Sequence, residues 1–379
     1  VLPFAGKLSH GYAAYYTSAW LVWHDEDAAR FYDNRWFMEQ LPRAGFDDVR
    51  DIYNVNPPAT ALLFLPLLPF SPQHADVVWS VTNLALLAVA LAILLRALGA
   101  AGLVARGDVT LPAVLVTYAL VYNPLYESMH YGQVYLLLLV PLALALLGYV
   151  ERRDRLLGVC LGLLLLFKGA AALLWLAPLL DRRWRALGWG AGTAAAGVLA
   201  TVPVLGVGAW REYVTWLPGL TNRPWTGVTA YQTLPSIVHH LTRQHDVYTP
   251  TPVVSAPWLA APLATALSAV LLAAAVACGW LLSRTADGPR ARLLRVTLLL
   301  ALAVPLQPLG EEHHYVLLLP VALVALALLA GGLGQRQPLA ALAAIAGLVA
   351  LAAPYDYWAE PLRHGWRALL AYPKLYGAL

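Results

Sequence analysis

Arg152-Arg153-Asp154-Arg155, then LLGVCLGLLLLFKGAAALLWLAPLL over residues 156–180, then Asp181-Arg182-Arg183: this stretch decides the fold. The run is long enough to cross a bilayer, since about 20 apolar residues at about 1.5 Å each span the hydrocarbon core. Two features argue against a simple crossing. Lys168-Gly169 stands at its middle, and arginines crowd both ends. Basic residues next to spans stay on the cytoplasmic side. One crossing would put an arginine cluster outside and invert every later loop. Two half-helices that dip in and return, meeting at Lys168-Gly169, keep both clusters inside. Non-helical backbone at that depth survives only against protein or beside a water-filled cavity. The hairpin therefore predicts a cavity, with an ammonium in it.

Working outward, the rest of the chain reads as a polytopic all-α membrane protein. Of 379 residues, 60% are hydrophobic and 12% charged, against about 25% charged in soluble domains. Full spans are expected at about 76–98, 110–125, 132–150, 186–206, 257–283, 291–308, 313–332 and 336–353, about eight in all. Asn56-Pro57-Pro58 opens a shorter apolar run, 57–70, that starts as a helix and reads as re-entrant. A single transmembrane domain over 1–379 results: exterior first loop 1–56, membrane core 57–353 with exterior loop 207–256, and exterior tail 354–379. The chain starts at Val1 and stops within Tyr372-Pro373-Lys374-Leu375-Tyr376, and so reads as trimmed at one or both ends. The net charge of +4 comes from basic residues scattered through short loops, which gives no nucleic-acid signal. Cys160 and Cys278 fall in apolar runs and read as small buried hydrophobes.

This topology gathers all ten histidines and most acids on the exterior side, where acid–base work would be done. Four constellations carry the chemistry. The first loop holds His10, Tyr15, Tyr16 and Asp51, with Asp51 next to the Pro-Pro helix start as the preferred general base. Glu311-Glu312-His313-His314-Tyr315 enters a span from outside; on a regular helix the two imidazoles diverge by about 100° and cannot share a metal. His314, one position deeper, is the favoured member. Lys168 is a lone ammonium about 18 Å from either end of its run, a position that needs a partner or an anion. Asn123-Pro124-Leu125-Tyr126-Glu127 with Gly132-Gln133 makes an exterior turn carrying an acid and an amide.

Together these stretches resemble glycosyltransferase family 87, polytopic C-type enzymes that take a sugar from a polyprenyl-phosphate carrier. The resemblance rests on Tyr15-Tyr16, Asn56-Pro57-Pro58, Gly132-Gln133, Lys168 before Asp181-Arg182-Arg183-Trp184-Arg185, and His313-His314, and covers roughly residues 10–332. It implies a C-type glycosyltransferase fold and α-mannosyltransferase-like transfer on the exterior face of a membrane, in this reading a bacterial plasma membrane. The donor is then a lipid-linked sugar and the acceptor a lipid or glycan, with no nucleotide, cofactor or obligatory metal. Lys168, with Arg211 or Arg223, would bind the donor phosphate. Tyr15, Tyr16, Asn56, Glu127, Gln133 and Glu312 would line the substrate cavity. The family carries an acid a few positions before the paired tyrosines, where this chain reads Ser9-His10-Gly11-Tyr12; the base is then His10 or a later acid such as Asp51. A transporter and a non-catalytic lipid-binding subunit are the rival readings. No second half repeats the Lys168 hairpin, and the one-sided chemistry is unlike the two-sided access a transporter needs.

Overall fold

The computed structural model describes residues 5–53, 56–222 and 224–379. Among these the regular structure is helical, apart from two isolated β-bridges, His245–Thr249 and Thr251–His364. The principal helices are α1 (Tyr12–Trp23), α2 (Pro72–Ala100), α3 (Thr110–Leu120), α4 (Tyr135–Val150), α5 (Asp154–Phe167), α6 (Trp184–Trp216), α7 (Pro257–Thr285), α8 (Pro289–Ala301), α9 (Leu319–Ala330) and α10 (Pro338–Ala352). Four segments are long and apolar enough to cross a bilayer: α2, α6, α7 and the continuous stretch Glu312–Ala330 that contains α9. Five shorter apolar helical segments accompany them, including Pro58–Leu67, α3, α4 and α10.

The helices differ from the expected spans in informative ways. The expected span 110–125 stops at Leu120, and a separate short helix, Asn123–His130, begins with proline at its second position. α6 runs well past the expected 206, kinked at Gly206 (φ 73°), a left-handed conformation that glycine adopts without steric cost. The span expected at 313–332 begins as a 3₁₀ turn, Glu312–Leu318, before α9 takes over.

The run 156–180 is broken where the sequence placed the break. α5 ends at Phe167, Lys168 is extended (φ −165°, ψ 118°), and a 3₁₀ segment, Gly169–Trp175, leads into the short helix Leu176–Leu180. The two ends of the run meet. Arg183 forms an ion pair with Asp154 at 2.6 Å and donates to the Tyr149 carbonyl at 3.1 Å. Around them Arg295 pairs with Asp181, Arg152 with Asp287 and Arg96 with Glu151, at 3.2–3.7 Å. Loops expected on the inside thus converge at one pole.

The freed backbone at the break is satisfied from the other short apolar run. Thr60 Oγ1 donates to the Phe167 carbonyl at 2.9 Å, so the two broken segments seal one another. Close helix packing holds the hairpin. Gly158 and Gly162 of α5 face α6, and a methyl group on Gly162 would come within 2.6 Å of the Gly190 carbonyl; small residues four apart allow such approach in apolar surroundings. Cys160 is buried in this region, whereas Cys278 lies on the exposed face of α7, a correction to the reading of both as buried. Burial there was inferred from hydrophobicity, which in an apolar helix does not distinguish the outward face from the packed one.

Candidate active site

Asn56 is the fixed point of the site. Its carbonyl accepts from the Tyr32 hydroxyl at 2.9 Å, while the Tyr53 hydroxyl donates to the Pro57 carbonyl at 2.8 Å. Proline fixes φ along this turn, so the Asn56 amide is presented rigidly. Its Oδ1 accepts from Lys168 Nζ at 2.6 Å and lies 3.3 Å from the Tyr15 hydroxyl, whose one hydrogen has its shorter contact with Gln133 Oε1 at 2.8 Å. Lys168, Asn56, Tyr15 and Gln133, drawn from four separate stretches, form one buried polar chain. The Lys168 ammonium also lies 5.4 Å from the Tyr135 ring centroid, a favourable cation–π position. Its bond to Asn56 is the one hydrogen bond it makes among the described residues, leaving donor capacity on a three-proton group.

Gln133 reaches this chain because Gly11 and Gly132 let two loops touch. Both have positive φ (87° and 55°), and a side chain on Gly132 would strike Tyr12. Trp79 Nε1 locks the turn by donating to the Gly132 carbonyl at 2.9 Å.

A cavity of about 340 Å³ opens beside the ammonium, lined among others by Lys168, Tyr213, Tyr231, Glu311 and His314. His313 and His314 leave the backbone about a third of a turn apart, yet their rings come together. In the 3₁₀ turn their rings stack at 4.5 Å, both against Tyr135. His314 faces the cavity and its Nδ1 is buried with no partner among the described residues. His313 turns toward Tyr131, whose other side meets His10 at 4.3 Å. His10 thus belongs to the aromatic layer behind the cavity.

The acids sort by partner. Asp51 Oδ2 accepts the backbone N–H groups of Gly11 and Ala14, and Oδ1 accepts that of Ile52. It caps α1 from 37 residues away, a distant version of a side-chain N-cap. Burial lifts its carboxyl to about 6, against the pull of those N–H groups and of Lys168. Glu311 lines the cavity, and burial, with the charge of Asp51 next, lifts it to about 7. Glu312 turns away. It pairs with Lys374 at 2.8 Å and accepts from Asn123 Nδ2 at 2.8 Å and the Tyr357 hydroxyl at 2.6 Å. Glu127 stands near that group, and burial, then the charge of Glu312, raises it to about 7.

Of the other expected site residues, Tyr16 donates to the Phe70 carbonyl at 2.9 Å, away from Asn56. Arg211 is exposed on α6 and is not among the cavity-lining residues. Arg223 lies outside the described residues. Sequence reasoning did not single out Glu311 or Lys374. Their signals were faint: one of two adjacent glutamates, and a lysine in the tail.

An all-α fold with helices long and apolar enough to cross a membrane gathers a cation, a carboxylate and an imidazole around one cavity. The family model for Glycosyltransferase family 87 matches residues 54–308, more than half of the chain, and the protein belongs to that family. Membership implies glycosyltransferase activity on sugar donor and acceptor substrates. The matched segment includes Asn56, Gln133 and Lys168, but neither the first-loop residues His10, Tyr15 and Asp51 nor Glu311 to His314. Neither the curated proteins nor the solved structures compared with the chain gave a match.

Proposed function

We propose that this chain is a polytopic membrane glycosyltransferase of the C-type fold. It transfers a hexose, mannose by the resemblance, from a polyprenyl-phosphate carrier to a lipid or glycan acceptor on the exterior face. The observation that carries this reading is Lys168: an ammonium held by Asn56 at a helix break, on a cavity that also presents Glu311 and His314. Attack of an acceptor hydroxyl on the anomeric carbon forms the new glycosidic bond. The bond to the carrier phosphate breaks with its electron pair, and the hydroxyl proton passes to a base. A preorganised cation at the leaving phosphate stabilises the charge that develops there. The test is transfer of radiolabelled hexose from the polyprenyl-phosphate carrier in membranes that contain the protein. No transfer to any lipid or glycan fraction would refute the reading.

The topology follows the same reading: about eight spans, with 57–70 and 156–180 re-entrant and the arginine pole cytoplasmic. The contact of Arg183 with Asp154 supports it. Arg155→Cys and Arg182→Cys, labelled in intact cells, should react from the same cytoplasmic side. Labelling from opposite sides would refute the hairpin.

Asp51 is the proposed base. Through the N–H groups of Gly11 and Ala14 its carboxylate sits at the start of α1, beside the positions where the family resemblance expects an acid. Asp51→Asn should lower kcat about 10²-fold or more, in the range of a lost general base, with donor binding kept. An active Asp51→Asn beside a dead His10→Ala would move the role to His10. The pH profile follows from the raised carboxyls. The rate at saturating donor falls as pH drops from about 7 to 5, because Asp51 (about 6), the proposed base, becomes protonated, while protonation of Glu311 (about 7) weakens donor binding. Stability moves the other way. An acid whose folded pKa is raised binds its proton more tightly in the folded state, so the two groups favour folding as pH falls through that window. Rate loss without a falling melting temperature is the expected signature.

His314→Ala should cost about 10²-fold in rate, since its ring faces the cavity, and His313→Ala much less. Equal small losses would reduce the pair to a structural stack on Tyr135.

A further inference from the structure

The three acids nearest the site are not equivalent. Asp51 spends its oxygens on three backbone N–H groups. Glu312 is neutralised by Lys374 and satisfied by Asn123 and Tyr357. The Glu311 carboxylate accepts no hydrogen bond among the described residues; His313 Nδ1 stands 3.6 Å from it, beyond hydrogen-bond reach. Its side chain is 37% exposed, and it lines the cavity beside Lys168 and His314. A carboxylate on a cavity wall with no partner in the protein keeps its acceptors open to a ligand that enters the cavity. The donors that would satisfy a carboxylate here are hydroxyl groups.

We propose that Glu311 is a specificity-determining residue that accepts hydrogen bonds from the ring hydroxyls of the donor hexose while Lys168 holds the carrier phosphate. The inference rests on the hexosyl-transfer reading and adds a pose to it. A hexosyl phosphate carries its anion at the anomeric end and its free hydroxyls around the rest of the ring. One cavity wall presents an ammonium with spare donors, and the same cavity presents a carboxylate with spare acceptors. The two oxygens of a carboxylate match two neighbouring hydroxyls, each donating one hydrogen. Tyr213 and Tyr231 also line the cavity. The cavity volume, about 340 Å³, falls at the lower end of small-ligand sites, about 300–1,000 Å³.

The test compares wild type, Glu311→Gln and Glu311→Ala, purified in detergent, for equilibrium binding and turnover of polyprenyl-phosphate hexose and of donors lacking one ring hydroxyl. A site built to bond a hydroxyl discriminates strongly against the analogue without it. For wild type, at least one deoxy donor should bind about 10-fold or more weakly than the parent. Glu311→Ala should bind the parent with a similar loss and show no further loss for that deoxy donor, because both changes remove the same bond. Glu311→Gln, which keeps one acceptor oxygen, should fall between them, with kcat within a few-fold of wild type. Unchanged melting temperatures confirm that the variants are folded. Losses that simply add at every ring position would overturn the proposal. So would unchanged donor binding with a collapsed kcat, which would make Glu311 the proton acceptor instead. If wild type binds no polyprenyl-phosphate hexose at all, the transfer reading falls first and this proposal with it. Normal binding and transfer by wild type with no Glu311 effect would sink this proposal alone.

Discussion

Lys168→Met is expected to abolish the proposed hexose transfer while the protein still inserts and folds. Methionine keeps most of the length and apolar stem of lysine and removes only the charge. Asn56 Oδ1 loses its closest donor, and the Tyr15 hydroxyl, 3.3 Å away, replaces it by turning its one hydrogen from Gln133 Oε1. Burying an ammonium in an apolar environment is costly, and removing it relieves that cost, so the melting temperature should hold or rise. The rate has no such compensation. The ammonium is placed before the reaction by Asn56, which Tyr32 holds through its backbone carbonyl. Preorganised charge of this kind contributes about 3–4 kcal/mol per group to a transition state, or about 10²–10³ in rate. As the cavity-lining cation, Lys168 should stand at or beyond the top of that range. Lys168→Arg keeps the charge but replaces a compact ammonium with a longer planar fork, which moves the charge, and it should recover little. The measurement is initial rate of radiolabel transfer at saturating donor, with donor binding followed separately. Retention of most activity in Lys168→Met would reduce the lysine to a buried structural partner of Asn56.

What could be read in the sequence was whatever depends on local composition and long-range charge bias. The break at Lys168-Gly169 was legible because a lone lysine in an apolar run conflicts with two arginine clusters on one side of a membrane. The Asn56-Pro57-Pro58 turn was legible because proline dictates its own backbone. The phase of the Glu311–His314 segment was not. A regular helix sends successive side chains about 100° apart; that separates His314, at the cavity, from His313, against Tyr131, but it does not foresee that their rings stack. The segment begins as a 3₁₀ turn with Glu311 extended before it; Glu311 lines the cavity, Glu312 turns to Lys374, and the two rings come together against Tyr135. No local pattern distinguishes the two glutamates; their partners do, and Lys374 is 62 residues further on. The capping of α1 by Asp51 was hidden for the same reason. The acid was noticed for its place beside the prolines, while the backbone groups it satisfies belong to the far end of the loop.

That distant partner of Glu312 sets the largest expected effect on stability. Lys374 is fully buried. Its ammonium pairs with Glu312 at 2.8 Å, donates to the Leu351 carbonyl at 3.0 Å and also donates to the Ala353 carbonyl. One lysine therefore ties three places together: the turn that carries Glu311 and His314, the C-terminal end of α10, and the tail. Lys374→Met removes the countercharge and leaves Glu312 buried, with only Asn123 and Tyr357 to oppose it. Breaking a buried pair by removing one member costs about 3–5 kcal/mol, because the remaining charge is stranded. The expected result is a sharp fall in melting temperature and loss of transfer, since the same turn positions the cavity side chains. Adding Glu312→Gln to Lys374→Met should recover much of the stability, because the stranded charge is then gone; removing both partners is tolerated far better than removing one. A double variant as unstable as Lys374→Met alone would show that the backbone carbonyls of Leu351 and Ala353, and not Glu312, are what the lysine chiefly serves.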